Sequence, residues 1–221
     1  MACREKRPAG STVDWRSRRA EIADAALPIF LERHWSALSV EEFAEAIGFT
    51  YWQVYYSFDG LEDIYRASVA LLAETVADAI ASPPEPSASV SRTIQDYVRF
   101  AADSVRSEAY GHLLFLRLRD AYPEPWVRHV YDTRIAAPLR RGLEKAIAEA
   151  GAHSDLKIVL LHGARGRCLM SLEAALALPQ LLNQEDFVEE GFEKTVASVA
   201  KDMFAATCTF DGFEQGTVQA A

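Results

Sequence analysis

The sequence predicts an all-α protein, with a three-helix head of helix-turn-helix outline at the N-terminus and a larger helical domain behind it. Apolar residues recur at spacings of three and four nearly everywhere, and alternating strand patterns are essentially absent. Three helix-start signatures crowd into one short stretch: Ser39-Val40-Glu41-Glu42, Thr50-Tyr51-Trp52-Gln53 and Asp59-Gly60-Leu61-Glu62. A proline cluster, Ser82-Pro83-Pro84-Glu85-Pro86-Ser87, then makes the clearest break in the chain.

The first helix starts near Asp14, with Ile22, Ala25, Ala26, Ile29 and Phe30 as its inner stripe. Pro28 lies inside that stripe and lacks a backbone donor, so a kink is expected there. In the next two signatures, the Ser or Thr oxygen accepts from an orphan amide and the Glu or Gln three residues on reaches back. Asp59 is expected to cap the fourth helix in a similar way. The second helix, Val40 to Ile47, meets a tight turn at Gly48-Phe49, and a third runs from Tyr51 to about Ser57. Two short helices joined by a glycine-containing turn give the helix-turn-helix outline. Phe43, Ile47, Val54 and Phe58 are the side chains expected to bury against helix one. A fourth helix covers roughly 61–81. Beyond the prolines, helices are read near 88–107, 110–121, 124–150, 155–178 and 185–208. Their separators are Tyr110-Gly111, Pro123-Glu124-Pro125, Gly151 and Pro179.

This reading divides the chain into a basic arm expected to be disordered (1–14), a helix-turn-helix domain (15–60), a second domain (61–210) connected through helix 61–81, and a disordered tail (211–221). No apolar run reaches the ~18 residues that would span a bilayer, and the start is polar, so a cytoplasmic protein without membrane attachment is expected. Cys3, Cys168 and Cys208 have no zinc or redox spacing and read as free thiols. No metal or cofactor is expected. The five histidines lack metal-ligand spacing, and there is no phosphate loop or nucleophile elbow, so the chain does not read as an enzyme.

The net charge is −9, which excludes a protein that coats nucleic acid indiscriminately. Residues 1–20 hold six basic side chains against two acidic, whereas residues 21–65 hold one basic against nine acidic. Any attraction to DNA must come from the N-terminal arm and from focused contacts.

Residues 19–64 resemble the TetR family of bacterial transcriptional regulators. The resemblance is carried by Ala25-Ala26 with Phe30, by Leu38-Ser39-Val40, and by Phe43-Ala44. It continues through Ile47-Gly48-Phe49-Thr50, Val54-Tyr55, Phe58, and Glu62 with Ile64. Three positions depart from the family pattern. His34 stands where glycine is usual, Trp52 where a small residue is common, and Leu61 where a phosphate-touching lysine opens helix four.

The resemblance implies a ligand-responsive regulator, a repressor by expectation, that binds a palindromic operator in double-stranded DNA as a homodimer. A small, largely apolar effector is expected to release it. Val54 and Phe58 must face the core, leaving Tyr51, Trp52, Gln53, Tyr55 and Tyr56 to the major groove. Gln53 has the bidentate chemistry for adenine, and Trp52 can pack on a thymine methyl. Tyr55 matches a family tyrosine that contacts phosphate. Phosphate contacts are further expected from Arg16, Arg18 and Arg19 and from the capped helix starts at Ser39 and Thr50.

The effector is expected among Tyr97, Phe100, Phe115, Trp126 and Tyr131, together with His162, Arg165 and Leu169 on helix 155–178. The aromatics equally suit plain core, and His162 and Arg165 equally suit intramolecular pairing. Similarity to the family assigns the dimer interface to two helices, through Gly163, Ala164 and Gly166 on one and Val188, Phe192, Val196, Val199 and Met203 on the other. The acidic head and the absent lysine support an alternative, a protein-interaction module on the same fold that has lost DNA binding.

Overall fold

In the computed structural model, the structure describes residues 15–120, 122–152, 157–158, 189–205 and 208–209. The chain forms two compact units, Met1–Leu71 and Leu72–Ala221.

The first unit begins with α1 (Trp15–Glu32), followed by a 3₁₀ turn (Trp35–Ala37), α2 (Val40–Ala46), α3 (Tyr51–Ser57) and the start of α4 (Leu61–Ala79). Its core is aromatic. Phe30 stacks on Phe43 at 5.5 Å between ring centroids and meets Tyr65 edge-on at 5.2 Å. Ile22, Ala26, Val54, Phe58 and Ile64 are buried around them, as the helical spacing requires. Ile47 is only half-buried, because it sits at the C-cap of α2. Ser68 donates from Oγ to the Ala23 carbonyl at 2.6 Å, a buried bond between α4 and α1.

Three local features bear on these expectations. At Pro28, where a kink is expected, α1 runs on as one helix, with the proline on its exposed side. His34 has φ −65° and ψ 141°, an extended conformation open to any residue, so the chain needs no glycine there. Its Nδ1 accepts from the Ser36 amide at 3.3 Å, capping the 3₁₀ turn. Helix four opens at the Gly60 carbonyl, which accepts from Ile64 at 3.2 Å, rather than at Asp59. The returning carboxylate is that of Asp63, which accepts from the Asp59 amide at 3.3 Å.

The turn between α2 and α3 does require glycine. Gly48 has φ +72°, and the Phe49 and Gly48 amides bond the Ala44 and Glu45 carbonyls at 2.9 and 3.1 Å. This is a Schellman closure, in which the left-handed residue reverses the chain directly after the helix.

The second unit contains the end of α4, then α5 (Val90–Val105), α6 (Glu108–Asp120), α7 (Pro125–Tyr131), α8 (Ala137–Gly151) and α9 (Glu189–Ala205). α5 is its centre, packing against both α8 and α9. Residues 157–158 and 208–209 form a two-residue antiparallel pair, a minor addition to an all-α fold. Tyr110 and Gly111 do not separate helices. Both are buried in α6, whose first turn is capped by Ser107, with Oγ accepting from the Tyr110 amide at 3.3 Å.

The single helix expected over 124–150 is divided. Between α7 and α8, residues Asp132–Ala136 form a π turn, in which the Ala137 amide reaches the Asp132 carbonyl five residues back. The sequence carries the reason. Val127, Tyr131, Ile135, Leu139, Leu143 and Ile147 are all buried and recur at a strict spacing of four. At 3.6 residues per turn such a row drifts by ~40° each step and leaves the core. One wide turn takes up about a residue of that drift.

Tyr97 ties α5 to α8. Its hydroxyl donates to the Leu139 carbonyl at 2.8 Å, and burial pushes the phenol up to about 12. A Cβ on Gly142 would collide with that hydroxyl. Gly142→Ala is therefore expected to destabilise the protein by about 1–3 kcal/mol, the usual range for overpacking. Urea unfolding checks this, and in a Tyr97→Phe background, where the hydroxyl is gone, most of the penalty should disappear.

Candidate nucleic-acid interface

The turn at Gly48 sets α3 on the surface of the first unit, with one side anchored and the other open. Val54 and Phe58 are buried as expected. On the outer side, Trp52, Tyr55 and Tyr56 are 60 %, 57 % and 67 % exposed. With half-buried Tyr51 they form one cluster. Tyr51 stacks on Tyr55 and Trp52 on Tyr56, each at 5.8 Å, and Trp52 meets Tyr55 edge-on at 5.9 Å. Each ring limits the rotamers of the next, so the apolar surface is pre-shaped.

Both capping boxes form. The Thr50 amide and hydroxyl donate to Gln53 Oε1 at 2.8 and 3.0 Å, and the Gln53 amide returns to Thr50 Oγ1 at 3.3 Å. Ser39 and Glu42 repeat the arrangement on α2, and the bonds from Ser39 hold the Glu42 carboxyl below its ordinary pKa. These bonds have a functional consequence. The Gln53 carbonyl oxygen already accepts twice, so its amide nitrogen is the part left to face a ligand.

The arginines described in the head are engaged. Arg19 donates to the Ser57 carbonyl and, through Nη2, to both Asp63 oxygens at 3.3 and 3.2 Å, with its guanidinium 4.0 Å from the Phe58 ring centroid. It is a clamp joining α1, the end of α3 and α4, not the phosphate contact expected of it. Its partners lie 38 and 44 residues away, which no local signal reveals. Arg18 pairs with Glu21 at 3.6 Å and lies 5.8 Å over Phe49, Arg33 donates to the Ala37 carbonyl at 2.7 Å, and Arg66 pairs with Glu62 at 2.7 Å. The Arg16 side chain lies outside the described residues. Leu61, in place of a lysine, is buried.

Arg19→Ala is expected to cost about 1–2 kcal/mol of stability, since a half-exposed ion pair gives little and the ring contact adds to it. Arg19→Lys should recover only part, because an ammonium cannot supply the fork. Thermal unfolding of the three proteins distinguishes these outcomes.

In the second unit the five aromatics expected to hold the effector have the following partners among the described residues. Tyr97 and Phe100 are neighbours at 5.8 Å, whereas the Tyr131 hydroxyl bonds that of Tyr110 at 2.6 Å. Phe115 lies under Arg119, and Trp126 Nε1 donates to Glu124 at 2.7 Å. Tyr110, expected from the sequence only as a helix separator, is the unforeseen member of this polar pair within the core. A cleft of about 520 Å³ does lie between α5 and α9, lined by Arg92, Gln95, Asp96, Lys201 and Phe204 among others; none of the residues expected to bind the effector lines it, though Val196, expected at the dimer interface, does. Its rim is fixed by Arg99, which bonds Glu193 through two nitrogens at 2.6 and 2.7 Å and holds that carboxyl below its usual range. His162, Gly163, Ala164, Arg165, Gly166, Leu169 and Val188 lie outside the described residues.

The apolar stripe of α9 is used differently from expectation. Phe192, Val196, Val199 and Met203 are buried within the single chain, on the side of α9 that packs against α5, so they are not available to a partner. Helical periodicity identified the buried face but not what covers it.

Among the described residues, no helix is long and apolar enough to cross a membrane and no side-chain cluster could hold a metal ion. No protein-family model and no curated protein matches the chain. Solved structures do. A TetR transcriptional regulator from Chloroflexus aurantiacus is similar at 14 % identity and a TM-score of 0.69, over 89 % of this chain and 99 % of that one. The flavonoid-responsive regulator FrrA matches at 20 % identity and 0.61, over 87 % and 98 % of the two chains. A TetR family transcription regulator from Marinobacter aquaeolei matches at 15 % and 0.59, over 88 % and 97 %. The chain therefore has the fold of TetR regulators across nearly its whole length.

Proposed function

We propose that the chain is a DNA-binding transcriptional regulator of the TetR family, a repressor that binds a palindromic operator as a homodimer and leaves it when a small, largely apolar effector binds. The observation that carries this reading is α3. A glycine-closed turn presents its outer face, Tyr51 to Tyr56, as an ordered surface on a fold shared with regulators. A helix so presented fits the major groove of B-DNA.

In this reading Trp52, Gln53, Tyr55 and Tyr56 meet bases and phosphates, Tyr51 supports them, and Arg18 breaks its weak pairing to reach the backbone. Ser39 and Thr50 act by fixing the two helices. Dimerisation uses the outward face of α9, with Ala197 and Ser198, together with the stretch around Gly163, Ala164 and Gly166. Two recognition helices then lie about one DNA turn apart. The effector occupies a site built from residues of the second unit near 162–169, where His162 and Arg165 supply its polar contacts. The flavonoid response of a structural neighbour is in keeping with an apolar, aromatic ligand.

Selection of duplexes from a random pool by the purified protein tests the reading. An enriched palindrome is expected, and no enrichment by a folded dimer would overturn it. A second reading has one observation in its favour: the four arginines described in the head all have protein partners, while its aromatics face outward. Such a surface suits a protein partner, since Trp and Tyr dominate interface hot spots. The same selection separates the two.

A further inference from the structure

We propose that α3 reads thymine C5-methyl groups, so that the half-site it contacts is a run of A·T pairs. This deepens, and rests on, the DNA-binding reading above.

The argument is one of elimination across the four bases. Guanine presents O6 and N7 to the major groove and is read by paired donors from Arg or Lys. The helix, Tyr-Trp-Gln-Val-Tyr-Tyr-Ser, contains neither. Arg19, Arg33 and Arg66 are each held by a partner in the protein, and Arg18, weakly paired with Glu21 on α1, is assigned to the phosphate backbone and not to bases. Cytosine presents an amino group that calls for a carboxylate, and α3 has no acidic residue. Adenine is read by an amide through oxygen and nitrogen together. Here the Gln53 oxygen already accepts from the Thr50 amide and hydroxyl, and the bidentate contact would break the cap of its own helix.

Thymine remains. Its methyl asks only for apolar surface, which α3 has in quantity. Trp52, Tyr55 and Tyr56 are more than half exposed and are held against one another at 5.8–5.9 Å. Little rotamer freedom is left to lose on binding, so this surface is suited to contact as it stands. The Gln53 amide nitrogen, still a donor, can meet thymine O4 or guanine O6 alike, so it is the exposed apolar surface, matched only by the C5-methyl, that selects thymine. Side-chain chemistry, exposure and the state of the cap thus point to one base.

The test uses the full-length protein and a duplex enriched by selection. Thymines in each half-site are replaced one at a time by deoxyuridine, which removes the methyl and nothing else. Binding is expected to weaken about fourfold for each methyl contacted, the factor that follows from burying one such group. Trp52→Ala, a change at an exposed position, should bind the thymine and deoxyuridine duplexes with nearly equal affinity while keeping the helical circular dichroism. Equal binding of the two duplexes by the unaltered protein, or half-sites rich in G·C, would overturn the proposal and leave the regulator reading intact. No enriched duplex would overturn both and would direct the search to a protein partner for the aromatic face.

Discussion

Asp120→Ala is expected to lower stability by about 3 kcal/mol, the largest effect of any single change outside the apolar core. Asp120 ends α6 and its side chain is 1 % exposed. Both oxygens are taken by Arg119, from Nε at 2.6 Å and Nη2 at 2.7 Å, and the guanidinium lies 5.3 Å over Phe115. A pair of this kind contributes little net stability when intact, but removing the carboxylate takes two charge-assisted bonds from Arg119 and leaves its buried place poorly filled, at ~3–5 kcal/mol. The lower end applies because the Arg119 side chain keeps 24 % exposure and can turn toward water. For a chain of this size the loss corresponds to a fall of about 6–12 °C in Tm. Asp120→Asn, which keeps the shape and loses the charge, should fall between alanine and the natural residue. An unchanged Tm for the alanine variant would mean that Arg119 does not depend on this carboxylate.

Gln53 offers the largest functional effect and a way to separate its two roles. As a cap it donates nothing and accepts twice, so Gln53→Ala should cost the protein about 1 kcal/mol. Glutamate supplies the same oxygens with a charge that suits a helix start, and Gln53→Glu should leave stability unchanged or improved. Toward DNA both variants lose the amide donor, and glutamate adds repulsion from the phosphates. Gln53→Ala, which loses one donor, is expected to weaken operator binding by about 2- to 12-fold, and Gln53→Glu by more. Wild-type affinity in Gln53→Glu would confine Gln53 to the cap. Titration of one labelled operator, beside thermal unfolding of each variant, gives both answers.

What could be read from the sequence was local. The boxes at Ser39 and Thr50, the glycine at position 48 and the burial of Val54 and Phe58 depend on neighbours within a few residues, and short-range chemistry predicts them. The all-α class follows in the same way. Arg19 illustrates what was not legible: a basic residue near the N-terminus has no local mark that sends it to Ser57 and Asp63. The α9 stripe shows a related limit, because periodicity gives a face and not its partner. Phe192 and Met203 had the pattern of an interface, and the chain's own α5 provides one. For Tyr97, Phe115 and Trp126, aromatic character alone could not distinguish a cavity wall from core, as at Tyr97, or from a half-buried surface position, as at Phe115 and Trp126.

The π turn at Asp132–Ala136 also sets where the length of this part of the chain can change without disturbing the core. With one residue removed there, Ile135 and Leu139 would stand three apart instead of four, and α7 and α8 could join as one regular helix with their apolar faces in phase. An added residue elsewhere in that helix would turn every later side chain by about 100° and expose Leu143 and Ile147. The wide turn confines the change to five residues. Related chains are thus free to differ by a single residue at this point and at few others along α7 and α8, and an alignment that places its gap here will keep the cores in register.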